Sequence, residues 1–466
     1  AMLFMFMHLS SGRLAPKLVE QLELPSNTPT GTRLLKLIAK VPGLQKLGQV
    51  LARNRHLQCQ LRRALTKLEN GISDMDAEEV RKIIKHDLGA ELKKYDVHIH
   101  PGIFSEASVS AVMRFRWRNP ATGRRERGVF KVIKPHIPVC FAEDIELLAQ
   151  LAKHVGSKHQ QYGFAKRVLP ETFNDVRRLL RHEVDFQREQ ATLAEASRSY
   201  QSMIAIRVPT LIRPLCTSKI TAMTEANGEK ITKAAVRMPL WQRTWVAELL
   251  IEAFLAVPLF SGQEKAMFHA DPHAGNLLYD RKRGELSILD WALTERVSRE
   301  ERRHLAIFFL FTALRDPQGI FNQIQALSRG GMRRKRLQVK IVRDCIDRFI
   351  ERLPVTKIPG TKDALDLLES IAFKGVRLPA PLIMLRKVLL TLDGVLYDMG
   401  DPDVSMMTVI ARRATVQWLT SWKSIGSPLS VRDWLAVQFS GLFYGSRVFW
   451  QGTHGLLDRS LSALSA

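Results

Sequence analysis

The sequence predicts an α+β fold with two lobes, one small and mixed and one larger and mostly helical, preceded by a helical extension. Three observations carry this prediction: leucines that recur every three to four residues early in the chain, a strand–turn–strand pattern after residue 100, and an almost wholly helical pattern after residue 241. The predicted parts are a leader at 1–31, a helical extension at 32–95, a small mixed lobe at 96–228, a helical lobe at 229–405 and a helical tail at 406–466.

The extension is predicted to be helical because its leucines repeat with the period of one helix face. They are Leu57, Leu61, Leu65 and Leu68. The pair Asn70-Gly71 then interrupts the pattern. A further helix is predicted from Ala77 to His86, and we expect it to stop at Gly89.

The small lobe contains a predicted β-hairpin. Its first strand covers 109–117, where apolar and polar residues alternate, and its return strand covers 128–133. The segment Asn-Pro-Ala-Thr-Gly at 119–123 is a turn between them. Two helices are predicted to follow, at about 143–156 and 171–200.

Composition and charge limit the classes of function. With 45% hydrophobic residues the chain of 466 residues can bury a large core, so wholesale disorder is excluded. Lys and Arg number 70 against 46 Asp and Glu, and the net charge of +24 favours an anionic partner such as phosphate, anionic lipid or nucleic acid. No nucleic-acid-binding module is recognisable, so nucleic acid is the unlikely member of that set.

The cysteines and the hydropathy pattern indicate the compartment. The four cysteines lie far apart and form no C-x-x-C pair, which disfavours a disulfide framework and fits a reducing compartment. The longest charge-free run, 434–446, has 13 residues, whereas a membrane-spanning helix needs about 20. We therefore expect a cytoplasmic or organelle-matrix protein, peripheral to a membrane and without a transmembrane span.

Four separated segments carry side chains suited to phosphoryl transfer from ATP. Lys131 lies on the return strand and Glu183–Glu189 on the helix that follows. Phe268–Asn276 interrupts the helical lobe, and Ser287–Asp290 is a short apolar strand that ends in a carboxylate. Phosphoryl transfer needs a cation on the phosphates, a carboxylate at the nucleophile and hard oxygen ligands for Mg²⁺.

The order and spacing of these segments are those of a protein kinase. Asp271 and Asn276 are five positions apart, as are the catalytic Asp and the metal-binding Asn of kinases. Asp290 follows 14 residues later, where a second metal-binding aspartate lies in kinases. The sequence therefore predicts a protein-kinase-like fold that uses ATP and Mg²⁺.

The motifs also resemble a known family. The segment HADPHAGN at 269–276 is similar to the HADPHPGN signature of the UbiB-like atypical kinases, also called the ADCK or AarF group. Lys46-Leu-Gly-Gln49 matches the K-x-G-Q motif of that family, and Glu183-Val-Asp185 matches its E-x-D motif. The resemblance extends over roughly residues 34–405, about four-fifths of the chain.

The resemblance implies a role for each matched residue. Lys131 contacts the ATP phosphates and pairs with Glu189. Asp271 is the catalytic aspartate, whereas Asn276 and Asp290 hold the metal.

The resemblance also implies a gate over the cleft. Lys46 and Gln49 fold over the cleft and meet Glu183 and Asp185. If one helix carries both glutamates, Glu183 and Glu189 point about 120° apart, so the same helix can serve the gate and the lysine.

The nucleotide loop departs from the family pattern. The family has an alanine-rich loop at the position of Ser105–Val112, which assigns Ala107 and Ser108 to the nucleotide, with Glu225 at the lobe connection near adenine. Glu106 places a negative charge near phosphates, which is unfavourable unless a cation offsets it.

A second departure follows the metal-binding aspartate. Trp291-Ala292 stands where kinases have Phe-Gly, so the backbone freedom of glycine is lost. Together the two departures predict a slow or degenerate enzyme.

Three other patterns admit a second interpretation. His269 and His273 are four apart, but Pro272 and Gly275 break any helix that would align them on a zinc ion. Six arginines on the hairpin, at 114–127, either form a solvated face or a single basic patch. The tail at 418–450 combines aromatic residues with cations, which suits core packing, a protein partner or a membrane interface equally well.

The leading hypothesis is an ATPase or small-molecule kinase that depends on Mg-ATP. The resemblance links it to isoprenoid-quinone or other lipid metabolism, with a lipid or quinone-type molecule and an anionic membrane surface as partners. The alternative is a non-catalytic kinase-like scaffold in a membrane-associated complex.

Overall fold

The computed structural model describes the chain over 8–38, 41, 43–45, 75–107, 109–157, 176–177, 180–328, 336–354, 359–400, 402, 404–420, 428–430 and 432–442. The chain separates into two compact units. The first unit comprises 1–227 together with 287–293, and the second comprises 228–286 together with 294–466.

The first unit combines an antiparallel sheet with helices. Its helices are α1 (Ser11–Leu22), α2 (Thr30–Ile38), α3 (Ala77–Lys94), α4 (Ile137–Ser157) and α5 (Phe186–Ser199). Its strands are β1 (His98–Glu106), β2 (Ser110–Arg118), β3 (Arg125–Ile133), β4 (Ile206–Arg207) and β5 (Ile220–Thr224). The sheet has the order β1-β2-β3-β5 with antiparallel neighbours, so the predicted hairpin is confirmed as β2 and β3.

One face of this sheet packs against α3. The buried residues on that face alternate along β2 as the sequence predicted, and they are Ala111, Met113, Phe115 and Trp117. The rings of Phe115 and Phe130 stack with centroids 3.9 Å apart. Gly128 is required at this contact, because a Cβ there would lie 2.5 Å from the Phe115 ring.

Helix α3 extends beyond its predicted end at Gly89. Asp76 caps the helix by accepting a hydrogen bond from the backbone N–H of Glu78, and the chain stays helical to Lys94. Leu88 has a non-helical backbone conformation, and its side chain is buried in the sheet-facing core. Burial of Leu88 and its neighbours outweighs the preference of glycine against a helix interior, which is about 1 kcal/mol.

A second core of the first unit forms around α4. Leu147, Leu148 and Leu151 of α4 pack with apolar residues at 38, 41 and 44. The carboxylate of Asp144, almost fully buried, accepts from Arg13 at 2.7 Å and from the backbone N–H of Gly43 at 3.0 Å. These contacts attach α1 and the helical residues 43–45 to α4.

The helix predicted over 171–200 is not continuous. Residues 180–184 are helical, and α5 begins at Phe186 after Asp185, whose φ and ψ are −88° and 78°. The Asp185 side chain accepts from the backbone N–H of Arg188 at 3.0 Å, which is the N-cap geometry that aspartate favours. The predicted angle of 120° between Glu183 and Glu189 is therefore wrong, because a helix boundary separates them.

The second unit is mostly helical, as predicted, with strands near the predicted interruption. Its helices are α6 (Ile231–Val236), α7 (Leu240–Ile251), α8 (Arg299–Leu314), α9 (Pro317–Leu327), α10 (Arg336–Arg352), α11 (Thr361–Phe373), α12 (Ala380–Asp398) and α13 (Met406–Thr420), and residues 432–442 are also helical. Its strands are β6 (Glu229–Lys230), β7 (Lys265–His269), β8 (Leu277–Asp280) and β10 (Thr294–Ser298), whereas β9 (Glu285–Ile288) spans the boundary of the two units. Strand β10 pairs antiparallel with β7, and β6 pairs with β8.

Helix α8 organises the core of the second unit. Ser298 and Glu301 form a capping box at its start. Arg302 is fully buried and donates to the carbonyl oxygens of Pro258 and Ser261 at 3.1 and 2.9 Å. Burial, together with the positive charge of Arg299, lowers the pKa of Arg302 to about 10. Within the described residues, no helix has the length and apolar character needed to span a bilayer.

Candidate functional site

Lys131 lies at the centre of a buried ionic cluster in the first unit. It stands on β3 opposite Val112 of β2 and Thr221 of β5. Its Nζ atom is 2.6 Å from Oε1 of Glu189 and 3.4 Å from Oδ1 of Asp290. Glu189 lies 58 positions after Lys131 along the chain, and Asp290 lies a further 101 positions on. Two carboxylates from distant parts of the sequence therefore meet at one lysine.

The cluster keeps Lys131 charged. Burial by itself would lower the pKa of Lys131, but the carboxylates of Asp290 and Glu189 outweigh that effect and raise the pKa above its ordinary value. The second carboxylate oxygen of Glu189, Oε2, is buried and has no hydrogen-bond partner among the described residues. One buried acceptor of the cluster therefore remains available to a donor or a cation.

Helix α5 positions Glu189 at the cluster. The cap at Asp185 starts the helix, so Glu189 falls in the first turn, where the helix dipole favours a negative side chain. Phe186, at the first position of α5, is buried, and Nζ of Lys131 lies 5.7 Å from the centre of its ring. Ring and carboxylate together define where the ammonium group lies.

Asp290 adopts a left-handed backbone conformation. Its φ is 55°, which few residues other than glycine adopt, although aspartate does so more readily than most. The side chain is 42% exposed, against 12% for Lys131 and 3% for Glu189. Asp290 is therefore the member of the cluster that faces solvent.

The departure at Trp291-Ala292 has a local structural explanation. The left-handed position is Asp290, and Ala292 is not among the residues with positive φ, so no glycine is needed there. Trp291 is buried, its Nε1 donates to the carbonyl oxygen of Ile288 at 3.2 Å, and its ring packs against Tyr200 at 5.7 Å.

Sequence analysis missed Thr192, which ties this segment to α5. Its hydroxyl donates to the carbonyl oxygen of Trp291 at 2.7 Å in a buried contact. Thr192 is one helical turn after Glu189, so the same helix positions Glu189 directly and Asp290 through the neighbouring residue. The spacing of three from Glu189 is the only sequence signal that indicates this role.

A cation at the end of β3 offsets the negative charge of Glu106 in the nucleotide loop. Nζ of Lys134 lies 3.2 Å from Oε2 of Glu106, and the two side chains are 1% and 6% exposed. The backbone N–H of Lys134 donates to the carbonyl oxygen of Val109 at 2.9 Å, and that of Ala107 donates to Ser110 at 2.8 Å. The loop is thus attached to the end of β3 by both its backbone and a buried ion pair.

Ser108, which the sequence assigns to the nucleotide, lies outside the described residues. Sequence analysis did not single out Lys134, although a second lysine three positions after Lys131 was a usable signal.

Glu225 lies directly before the boundary of the two units. Its Oε1 is 2.8 Å from Nε of Arg114, and its backbone N–H donates to the carbonyl oxygen of Arg127. Gly228, just beyond the boundary, has a φ of 108°, and a Cβ there would lie 2.5 Å from the backbone of Tyr279. Only glycine fits that position.

Asp271 and Asn276 lie on one compact loop of the second unit. The side-chain amide of Asn276 donates to the carbonyl oxygen of Asp271 at 3.2 Å, which leaves its Oδ1 oxygen as an acceptor. The backbone N–H of Asp271 donates to Nδ1 of His269, and that of Gly275 donates to Nδ1 of His273. Both histidines therefore organise the loop, and no group of three or more His, Cys, Asp or Glu side chains gathers as a metal site within the described residues.

The predicted gate falls largely outside the described residues. Lys46 and Gln49 both lie outside them. Asp185 caps α5, and Glu183 lies in the helical segment before it.

Comparison with known proteins gives consistent matches. A sequence profile of the ABC1 atypical kinase-like domain matches residues 67–324, more than half of the chain. The uncharacterized protein sll1770 of Synechocystis sp. is 25% identical over 80% of this chain and 62% of its own length. The protein named Probable protein kinase UbiB is 27% identical in Haemophilus ducreyi, over 62% of this chain and 53% of that protein. Its namesake in Xanthomonas oryzae pv. oryzae is 24% identical, over 78% and 66%.

The chain thus spans between half and two thirds of the length of these relatives. Among solved structures, Rv3197 from Mycobacterium tuberculosis, determined as a complex with erythromycin, matches with a TM-score of 0.52 and 17% identity. The match covers 86% of this chain and 97% of the other. It is a likeness of fold alone, and with the profile match it confirms the predicted kinase-like fold class.

Proposed function

Because the chain belongs to the ABC1 atypical kinase-like family, which includes the UbiB proteins, we propose that it binds Mg-ATP and acts as an ATPase or small-molecule kinase. The observation that carries the proposal is the cluster of Lys131, Glu189 and Asp290. A charged lysine held between a buried and an exposed carboxylate is the arrangement that positions nucleotide phosphates in kinases.

The residues of the first unit act on the nucleotide. Lys131 binds phosphate oxygens, and Glu189 holds the ammonium group in place and charged. Ala107 and Ser108 approach the phosphates with backbone groups, and Glu225 lies near the adenine. Since Lys134 neutralises Glu106, the loop does not present an uncompensated negative charge to the phosphates.

The residues of the second unit act on the acceptor. In the transfer step an acceptor oxygen forms a bond to the γ-phosphorus, and the bond between that phosphorus and the bridging oxygen of ADP breaks. Asp271 receives the acceptor proton. With water as the acceptor the products are ADP and inorganic phosphate, and with an alcohol they are ADP and a phosphate ester.

Asp290 and Asn276 are the proposed ligands of Mg²⁺. Both supply hard oxygen donors, namely the exposed carboxylate of Asp290 and the Oδ1 atom that Asn276 leaves unused. A bound Mg²⁺ ion would neutralise phosphate charge, and the two side chains would orient it.

The family match supports a proposal for the acceptor and the surroundings of the protein. We propose a lipid or quinone-type acceptor, with Lys46 and Gln49 meeting Glu183 and Asp185 to gate access. The net charge of +24 supports association with an anionic membrane surface, and the tail supports a contact with a protein partner.

A thermal-shift experiment tests nucleotide binding. Millimolar ATP with Mg²⁺ should raise the melting temperature of the wild-type protein, because a ligand that binds only the folded state stabilises it. Asp290→Asn should lose most of that shift. Asp96→Asn is the matched control, because Asp96 is also a left-handed aspartate bonded to a cation, Arg125, and takes no part in the cluster.

The scaffold hypothesis rested on two departures, Glu106 and Trp291-Ala292. Both have local structural explanations, in the ion pair with Lys134 and in the contacts of Trp291. If wild-type protein shows no nucleotide-dependent shift, the enzyme proposal fails and the scaffold hypothesis becomes the better one.

A further inference from the structure

The hairpin of the first unit carries a row of arginines on one face. Five of them point to the same side of β2 and β3, namely Arg114, Arg116, Arg118, Arg125 and Arg127, and all five are exposed. The opposite side carries the buried residues that pack on α3. We call this set the arginine face.

Strand pairing brings the arginines close together. Arg116 lies directly opposite Arg127, and Arg118 lies directly opposite Arg125. Neighbours across such a pair are about 5 Å apart at Cα, and alternate residues along a strand are about 7 Å apart. His98 of β1 lies opposite Arg116, so His98, Arg116 and Arg127 form one row across three strands.

Among the described residues, carboxylates pair with two arginines of this face. Arg114 pairs with Glu225 and stacks on the Phe104 ring at 3.7 Å, and Arg125 pairs with Asp96 at 2.6 Å. Within the described part of the chain, no carboxylate lies within ion-pair distance of Arg116, Arg118 or Arg127.

The arrangement is unfavourable without an external anion. Like charges directly opposite on neighbouring strands destabilise a sheet. An arginine fork also matches the oxygens of a phosphate group better than water does. Neighbouring guanidinium groups on one exposed face are therefore complementary to a surface that presents several phosphates.

We propose that the arginine face is the docking surface for an anionic phospholipid bilayer. The inference rests on the proposed membrane association and assigns it to particular residues. Each contact on an exposed face is weak, so tight binding needs a partner that presents many phosphates at once in one plane. A bilayer does so.

Nucleic acid fits this surface less well. Single strands bind through bases stacked on aromatic side chains. Among the described residues, the exposed aromatic ring at this face is that of Phe104, and the Arg114 guanidinium group already stacks on it. A duplex presents its phosphates along the curved surface of a cylinder, whereas a bilayer presents them over a whole plane.

The arginine face lies on the same side of the sheet as Lys131. Side chains alternate along β3, so Lys131, Val129, Arg127 and Arg125 lie on one side of the sheet. A bilayer held at the arginine face would lie on the same side of the first unit as the phosphate-binding lysine. Membrane headgroups are therefore the class of molecule brought nearest to that side.

Vesicle flotation tests the assignment. Full-length protein is mixed with vesicles of phosphatidylcholine alone, or of phosphatidylcholine with 30 mol% phosphatidylglycerol, at about 0.1 M salt. Wild-type protein should float only with the anionic vesicles. Arg116→Ser with Arg127→Ser should lower the partition coefficient about thirtyfold, since each basic residue near such a surface strengthens binding roughly fivefold.

The control removes the same charge elsewhere. Arg281→Ser with Arg283→Ser alters two exposed arginines in a turn of the second unit and should change partitioning by less than about threefold. Equal losses in both double variants would mean that net charge acts without a site, and the assignment would be wrong. No loss in the Arg116 and Arg127 variant would overturn it as well.

Two further outcomes separate the assignment from its premise. If wild-type protein ignores anionic vesicles, the proposed membrane association itself fails. If it binds single-stranded RNA more tightly than vesicles and loses that binding in the Arg116 and Arg127 variant, the face is a nucleic-acid surface. Equal melting temperatures of the variants without vesicles would show that folding is intact.

Discussion

The first unit contains two lysines only three residues apart, each paired with carboxylates, and their surroundings differ in exposure. Lys131 meets Glu189, buried, and Asp290, which is 42% exposed. Lys134 meets Glu106 with both side chains almost completely buried. The first cluster is open on one side and the second is closed.

This difference assigns ligand binding to the open cluster and a structural role to the closed pair. An open cluster offers a charged ammonium group and an exposed carboxylate to a ligand. In a closed pair each charge is satisfied by the other, so it can only hold its two segments together. Breaking either pair leaves a buried charge uncompensated, which costs about 3–5 kcal/mol. Only the open cluster should respond to nucleotide.

The largest effect is expected at Lys131. Lys131→Met should abolish the rise in melting temperature caused by Mg-ATP and lower the free energy of unfolding by about 3–5 kcal/mol, because Glu189 loses its cation. Lys131→Arg keeps the charge and should keep the fold, yet lose most of the nucleotide-dependent shift because the planar guanidinium group does not reproduce the point charge of lysine. Calorimetric melting with and without Mg-ATP measures both. If both variants kept the full nucleotide-dependent rise in melting temperature, Lys131 would not contact the nucleotide.

The second prediction concerns the closed pair. Lys134→Met should also lower the free energy of unfolding by about 3–5 kcal/mol, since buried Glu106 loses its ion pair with Lys134. Adding Glu106→Gln should restore about half of this loss or more, because the unpaired charge disappears. Denaturant unfolding of the two single variants and the double variant measures the coupling. The folded single variant should still respond to Mg-ATP.

A nucleotide response that vanishes in Lys134→Met and returns in the double variant would contradict the assignment of Lys134 to positioning alone. It would show that Glu106 repels the phosphates once Lys134 no longer offsets its charge, as the sequence indicates.

A smaller effect is expected at Thr192, which links the open cluster to α5. Thr192→Val removes the hydroxyl and leaves the Trp291 carbonyl oxygen without this donor, at a cost of about 1–3 kcal/mol. Mg-ATP affinity should fall as well, because the backbone beside Asp290 is no longer held. Thr192→Ser keeps the hydroxyl and serves as the control. Titration calorimetry with Mg-ATP distinguishes positioning from packing. A loss of stability with unchanged Mg-ATP affinity would mean that Thr192 contributes only to the core.

The smallest effect is expected at an ion pair in the second unit that joins a partly exposed arginine to a buried aspartate. Arg303 and Asp433 form a two-point contact, and Arg303 is 35% exposed. Burial by itself would raise the pKa of Asp433, but hydrogen bonds from Arg303 and Ser430 outweigh it and hold the pKa below its ordinary value. The pair therefore stabilises the fold above about pH 4, and this stability is lost as the pH falls through the lowered pKa.

Solvent screens this pair, so its contribution should not exceed about 1 kcal/mol. Unfolding free energies of wild type and Asp433→Asn at pH 7 and at pH 3 measure it. The difference between the two proteins should shrink at pH 3. A difference that stays constant would assign the effect of the substitution to packing.

The sequence was sufficient for much of the site. Lysine on a strand, glutamate on the next helix, the D-x4-N spacing and the strand-end aspartate depend only on residue order, and the first unit brings Lys131, Glu189 and Asp290 together as that order predicts. The hairpin was also predictable, because alternation along β2 separates a buried face from an exposed one.

Other features depended on contacts between distant segments. The helix break at Asp185 was not predicted, because an aspartate within a helical pattern is as compatible with a solvated face as with a cap. Helix α3 passes Gly89 because its apolar side packs on the sheet. Lys134 and Thr192 acquire their roles only from partners 28 and 99 positions away.

The sequence by itself thus determined which ionic groups this protein carries and in what order, because these depend on residue type and spacing. The tertiary structure decided which of those groups are open and which are closed. The exposure of a side chain depends on packing against remote parts of the chain, so a local pattern of residues does not predict it.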